Sequence, residues 1–391
     1  MFQNFSLKKI DWFTVLLVVA ILGFGIIALA SVMSKPYDGT EASLNDYISH
    51  FNSEYLKKHI VNIALGVVAL AVFLVIDYDL FKHFAWLMYA GIIGLLLLLF
   101  VFGAVRGGAL GWFVFDSLER AIQPGELSKI AVIVMEAKIV SKAMDEHGGL
   151  FRFVDVIKAL AFTAVPFLII VRQSDYGTAI VLLVITVSIF FAARIRWYYI
   201  VGAAGAAAVG LPLVYKFILT NTQRQRIDVF LDPSAASSDA RYHVERSKMA
   251  IGSGRLHGKG LFGETTLSQL RYVPARHTDF IFSGITEAVG FIGSVVLIAA
   301  YFILMIRWIY IAMRARDNFG MLLVIGVVGL FTAHIFENIG MTMGIMPVTG
   351  IPLPFISYGG SNMLVNLIGV GIVLNVYMRR VQRTRLRPNG R

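Results

Sequence analysis

The sequence predicts an all-α polytopic membrane protein of about ten transmembrane helices, with one large extracytoplasmic loop between helices 7 and 8. Three observations predict it. Of the 391 residues, 57% are hydrophobic and only 15% charged, with a mean hydropathy of +0.73, a balance that excludes a water-soluble globule with a polar surface. Apolar stretches of about 20 residues, the length that crosses a bilayer core of roughly 30 Å as a helix, follow one another along the chain. Positive charge collects in the short connections on one side.

Taken in order, the first span lies near 12–32 and runs past Ala30 without a small-residue cleavage site, so it reads as a retained helix rather than a signal peptide. Spans near 58–76 and 82–104 are apolar runs. The fourth, near 122–141, opens on Gln123-Pro124, and proline is favoured at a helix start. It carries Glu126, Lys129 and Glu136 at spacings of three and seven, along one helix face. An ionisable group at the centre of a lipid-facing helix costs about 2.5 to 3.5 kcal/mol, so that face is expected to point inward. Spans near 155–171 and 176–193 are joined by the short polar turn Arg172-Gln173-Ser174-Asp175-Tyr176-Gly177, which singles out Asp175.

The seventh span, near 197–219, leads into the loop of about 220–280. The eighth, near 280–306, holds Glu287 close to its start. The ninth, near 320–345, has His334 and Glu337 three apart and then Asn338, while the tenth, near 359–378, has Asn366 and Asn375. Buried polar groups of this kind hold helices together as readily as they do chemistry, and for His334 and Glu337 the structural role is the expectation. The whole chain, 1–391, forms a single membrane domain.

With the N-terminus inside, Lys8, Lys9, Lys142, Arg152, Arg194, Arg196, Arg307, Arg314 and Arg316 fall in the cytoplasm. The basic tail 379–391, with Arg379, Arg380, Arg383, Arg385 and Arg387, joins them, so both termini are cytoplasmic. The 220–280 loop is then outside despite its many Arg and Lys residues, because long loops translocate largely regardless of charge. The chain has no cysteine, which excludes disulfides and Cys-ligated metals. Neither HExxH nor GxSxG occurs, and Gly103-Ala104 with Gly107-Gly108 lacks the Gly-Lys-Ser/Thr of a nucleotide loop, which argues against hydrolase and ATPase readings. The short basic tail is a topology signal, so nucleic acid is not an expected partner.

Two parts of the loop bear on chemistry. Gly252, Gly254, Gly258 and Gly260 surround Lys259, where backbone N–H groups and an ammonium suit an anion; simple turns and attraction to lipid headgroups fit the same residues. In Pro274-Ala275-Arg276-His277-Thr278-Asp279-Phe280 a carboxylate reaches the membrane surface beside Arg276, His277 and Thr278. Asp279 can act there as a general base or hold a divalent cation, or can merely mark the water–lipid boundary.

Together these segments resemble the SEDS family (shape, elongation, division and sporulation), the RodA, FtsW and SpoVE proteins, over nearly the whole chain. The strongest matches are Gly350-Ile351-Pro352-Leu353-Pro354-Phe355-Ile356-Ser357-Tyr358-Gly359-Gly360-Ser361 and Pro274 to Phe280 leading to Gly290-Phe291-Ile292-Gly293. Gln123-Pro124-Gly125-Glu126-Leu127-Ser128-Lys129, Gln173-Ser174-Asp175-Tyr176-Gly177-Thr178-Ala179 and Ala250 to Gly254 with Gly258-Lys259-Gly260 support them. The resemblance implies a ten-helix peptidoglycan glycosyltransferase that polymerises lipid II into β-1,4-linked glycan and releases undecaprenyl diphosphate. It would work in elongation, division or sporulation, in the bacterial cytoplasmic membrane, beside a class B penicillin-binding protein that supplies the transpeptidase.

The resemblance puts the essential acidic residue of the outer loop at Asp279. Candidate substrate-binding residues are Glu126, Lys129, Lys259, Arg276, Arg106, Trp112, Asp175 and Ser357. The cofactor admitted is a divalent cation, Mg or Mn, at Asp279, with no organic cofactor. The chain departs from the family pattern at Leu110, where a basic residue usually precedes the tryptophan matching Trp112, a loss for which Arg106 is the candidate compensation. It departs also at Gly125, at Ser174 and at Ala288, where a second acid often follows Glu287. The competing functions are a lipid II flippase or other transporter, with the intramembrane polar residues lining a path, and a noncatalytic scaffold for the penicillin-binding protein.

Overall fold

The computed structural model describes residues 9–34, 53–106, 108–115, 120–217, 224, 238–261 and 266–380. Lys8, Gly107, the greater part of 218–237, residues 262–265 and the tail arginines Arg383, Arg385 and Arg387 lie outside the described residues.

Eleven helices and three short strands are described. The helices are α1 (Trp12–Met33), α2 (Ser53–Val75), α3 (Tyr78–Phe102), α4 (Pro124–His147), α5 (Phe153–Arg172), α6 (Tyr176–Ala192), α7 (Trp197–Phe217), α8 (Ser238–Ser253), α9 (Ile281–Met313), α10 (Asn318–Met343) and α11 (Gly360–Met378). All but α8 correspond in order to the ten expected spans. Eight are long and apolar enough to cross a membrane by length and composition. Of the other two, α6 is apolar but shorter, and α4 carries buried charge. The α8 helix lies in the loop between the seventh and eighth spans, where its sequence is polar.

Local chemistry sets the ends. The α3 helix starts where the Asp77 side chain accepts from Asp79 N, and α10 where Asp317 accepts from Gly320 N. The α4 helix begins with proline in its first turn and stops at Gly148 in the left-handed region.

The centre of the bundle is α10 with α11: 78% and 89% of their apolar windows are buried, against 22% for α2. The α11 helix packs along α2, and α10 along α6, α9 and α4. The glycine at 177 permits one close approach, since a Cβ there would meet Ile351 Cδ1 at 2.7 Å and the Thr349 carbonyl at 2.8 Å. The start of α6 therefore lies directly against the 349–351 segment.

To this helical architecture the structure adds a small antiparallel sheet between α3 and α4, in the order β1 (Ala104–Arg106), β2 (Ala109–Phe115), β3 (Arg120–Ile122). Leu110 N donates to the Gln173 carbonyl at 2.9 Å, fastening β2 to the polar turn before α6. Leu110, singled out above as a departure from the pattern the resemblance implies, is thus half-buried in the sheet against Gly103.

Candidate active site

Asp279 ends the large loop two residues before α9, and its backbone is clasped from two directions. The Asn338 amide of α10 donates to the Asp279 carbonyl at 2.8 Å and to the Ile351 carbonyl at 2.8 Å. From the 350–361 segment, the Ser357 hydroxyl donates to the Thr278 carbonyl at 2.7 Å, and Tyr358 N donates to the His277 carbonyl at 2.8 Å. The Ser357 oxygen also accepts from Leu353 N at 2.7 Å, so one hydroxyl ties both motifs together. The half-buried Asp279 carboxylate lies beside Gly350, where an added Cβ would sit 3.6 Å from Oδ2.

The rings of Tyr55 and Tyr358 meet His277 at centroid distances of 5.2 and 6.0 Å. Burial and then the neighbouring Arg276 charge hold the His277 imidazole below its ordinary pKa. Burial, followed by the charge of Arg271, likewise lowers Arg276. The loop thus carries a half-buried guanidinium and a half-buried imidazole in the three residues before the carboxylate.

A second cluster sits at the head of α4. The Lys129 ammonium, fully buried, donates to Glu126 Oε1 at 2.6 Å and to His334 Nε2 at 2.9 Å. An ammonium can only donate, so His334 Nε2 accepts and its Nδ1–H is left to donate to the Pro352 carbonyl at 3.2 Å. Asn362 Nδ2 reaches Glu126 Oε2 at 3.3 Å, and Glu337, 3% exposed, lies among Thr349, Lys129 and Asp175. His334 therefore binds across to α4 rather than pairing with Glu337 along its own helix.

Asp175 accepts from Gln123 Nε2 at 2.8 Å and from Thr178 N at 3.1 Å, which caps α6. Burial raises its carboxyl above the ordinary range against the opposing pull of the Thr178 bond and the Lys129 charge. Gln123 N donates to Ser361 Oγ at 3.0 Å, linking α4, α6 and α11 at one end of the bundle.

Of the sequence candidates, Asp279 and Ser357 come together in the loop clasp, with Arg276 three residues back along the loop, and Glu126, Lys129 and Asp175 gather in the second cluster. The segment 349–352 joins the two, touching Asp279 through Gly350 and His334 through Pro352. Lys259 is paired instead with the buried carboxylate of Glu287, at 2.8 Å, and its side chain keeps 34% exposure. Arg106 is exposed on β1 and Trp112 half-buried on β2, in the sheet before α4. Glu136 lies deeper in α4, fully buried, where Thr163 and Thr186 of α5 and α6 donate to its Oε1. Sequence reasoning misses Gln123 and Asn362 as site residues and finds Asn338 only as a polar residue of its span; neutral amides carry no charge signal. Among the described residues no group of three or more His, Asp or Glu side chains gathers as a metal cage would require.

A polytopic helical bundle with a carboxylate held at the mouth of a polar, charge-bearing cluster is the framework of a membrane-embedded enzyme. The chain belongs to the FtsW/RodA/SpoVE family of cell cycle proteins, whose model matches residues 11–382. It is 36% identical over 326 residues to the peptidoglycan glycosyltransferase MrdB of Escherichia coli K12, covering 83% of this chain and 86% of that one. It is 34% identical over 386 residues to the probable peptidoglycan glycosyltransferase FtsW of Trichlorobacter lovleyi, covering 96% and 94%. The crystal structure of the rod shape determining protein RodA of Thermus thermophilus superposes with a TM-score of 0.68 at 25% identity, over 95% of this chain and 98% of that one. A chain from a structure described as coordinating polymerization and crosslinking in a peptidoglycan synthase complex superposes at 0.77, with 26% identity, over 95% and 99%.

Proposed function

We propose that this chain is a peptidoglycan glycosyltransferase that polymerises lipid II, with Asp279 as its general base. The observation that carries the reading is the clasp on residues 277–279: three hydrogen bonds from α10 and the 350–361 segment fix the backbone around one half-buried carboxylate. Fixing a base to its productive position is what catalysis by proximity requires.

The 4-hydroxyl of the acceptor sugar attacks the anomeric carbon of the lipid-linked glycan. Its proton passes to the Asp279 carboxylate as the new β-1,4 bond forms, and the bond from that carbon to the diphosphate breaks with inversion. An inverting glycosidase needs an acid for an alcohol leaving group. A departing diphosphate needs mainly charge stabilisation, for which Arg276 stands three residues from the base. A divalent cation suits the same carboxylate only together with the substrate's own phosphates, since Mg is held by one or two carboxylates plus phosphate oxygens. Such an ion would supply further charge neutralisation. The Glu126–Lys129–His334 network holds the wall beneath the loop.

In this reading the Asp279 end faces outward from the bacterial cytoplasmic membrane, both termini are cytoplasmic, and the exposed apolar flanks meet lipid and a single-pass class B penicillin-binding protein. Purified protein, with and without such a partner, is incubated with labelled lipid II and a divalent cation, and glycan length is read on a gel. Polymer from the wild type supports the enzyme. Translocation of lipid II across vesicles with no polymer under any partnered condition would replace it with the flippase.

A further inference from the structure

The α9 helix is broken at Gly290, whose backbone (φ 71°, ψ −171°) leaves the helical region. A helix break frees carbonyls before it and N–H groups after it. Here the glycine-rich loop takes up both sets. Lys259 N donates to the Glu287 carbonyl and Gly260 N to the Ala288 carbonyl, both at 3.0 Å. Phe291 N and Ile292 N donate back to the carbonyls of Arg255 and Leu256, at 2.9 and 3.1 Å. The approach is so close that a Cβ on Gly258 would collide with the Ala288 carbonyl, and one on Gly290 with Gly258 N.

One side chain closes this junction. The Glu287 carboxylate, fully buried, accepts from Lys259 Nζ at 2.8 Å, Ser253 Oγ at 3.2 Å, Leu267 N at 2.7 Å, Ser268 N at 3.1 Å and Ser268 Oγ at 3.0 Å. Five donors on one carboxylate, one of them an ammonium, make a charge-assisted hub that holds both limbs of the loop. The Lys259 side chain, still part-exposed, stands on the wall of a cavity of about 740 Å³ formed by the loop from Gly252 to Lys259, with exposed Arg255 and His257.

Asp279 lies two residues before the start of the same half-helix. Between Ile281 and Glu287 it rises roughly 9 Å, at about 1.5 Å per residue. In an in-line displacement the base and the cation that holds the departing phosphate stand on opposite sides of the reacting bonds, so their separation has to be fixed. We propose that Glu287 is a positioning residue for glycosyl transfer: it locks the glycine-rich loop into the break of α9, so that Lys259 faces the donor diphosphate at a set distance from Asp279. The inference rests on the glycosyltransferase reading and adds to it how the loop cation is registered to the base.

The test combines amide hydrogen exchange with polymerisation kinetics on the full chain in detergent or nanodiscs, using Glu287→Gln, Lys259→Met and the double variant. Glu287→Gln is expected to speed exchange at Lys259, Gly260, Phe291 and Ile292 and to lower kcat on lipid II at least tenfold. Lys259→Met is expected to leave those amides protected, to lower kcat by at least as much as Glu287→Gln, and to add less than twofold to its own kcat loss when the two are combined. Wild-type exchange and kcat in Glu287→Gln, or losses that multiply in the double variant, would overturn the proposal. A wild type that makes no polymer while Glu287→Gln still frees the four amides would overturn the catalytic role and the enzyme reading together, leaving the clamp as a structural device.

Discussion

Replacing Lys129 by methionine keeps most of the side-chain volume at a fully buried position and deletes one ammonium. Two bonds disappear, the 2.6 Å bond to Glu126 and the 2.9 Å bond to His334 Nε2. Glu126, 3% exposed, keeps only the 3.3 Å contact from Asn362. Removing one partner of a buried ion pair costs about 3 to 5 kcal/mol, because the other charge is left uncompensated, and 1.4 kcal/mol is about a tenfold change in an equilibrium constant. Lys129→Met should therefore lower the folding equilibrium constant by roughly two to three and a half decades. The double variant Glu126→Gln/Lys129→Met removes both charges and should recover most of that loss. Thermal denaturation in detergent, followed by the monodisperse fraction on size exclusion, reads both. A single variant as stable as the wild type, or a double variant less stable than the single one, would refute the account of this network.

Asn338→Leu removes the amide that holds the Asp279 and Ile351 carbonyls, and kcat should fall about 10²-fold, the scale of a 1 Å misplacement, in a protein that remains monodisperse. Gly177→Val drives a side chain into Thr349 and Ile351, so the purified variant should show a lowered melting temperature as well as lowered activity. His277 titrates below its ordinary value when folded, so its contribution to stability is full above the unfolded pKa of about 6.5 and declines as pH falls from there through the folded value. The melting temperature should accordingly drop more between pH 7 and pH 5 in the wild type than in His277→Gln, and equal drops would remove His277 from the explanation.

The helix order was legible because eight of the ten spans are long apolar runs, and the inward face of α4 because Glu126, Lys129 and Glu136 have no place in lipid. Asp279 stood out as a carboxylate at a span boundary, and the family resemblance singled it out further. What those charges touch was not legible. Lys129 and His334 are 205 residues apart, whereas His334 and Glu337, three apart on one helix, share a face without forming the pair that holds the site. The sheet before α4 was hidden because Ala109 to Phe115 is apolar almost throughout and shows little alternation. The break in α9 was hidden too, since Gly290 sits in a span where a single glycine is ordinarily tolerated, and only its contact with Gly258 reveals what it does.

The most direct test of the central claim is single-turnover polymerisation of labelled lipid II by the purified protein with its penicillin-binding partner, comparing wild type with Asp279→Asn. The variant keeps the shape of the side chain and the clasp on its backbone, and loses the base. Polymer from the wild type and a rate lowered by about 10² to 10⁴ in a folded, membrane-inserted variant is the predicted result. Full-rate polymerisation by Asp279→Asn would contradict it.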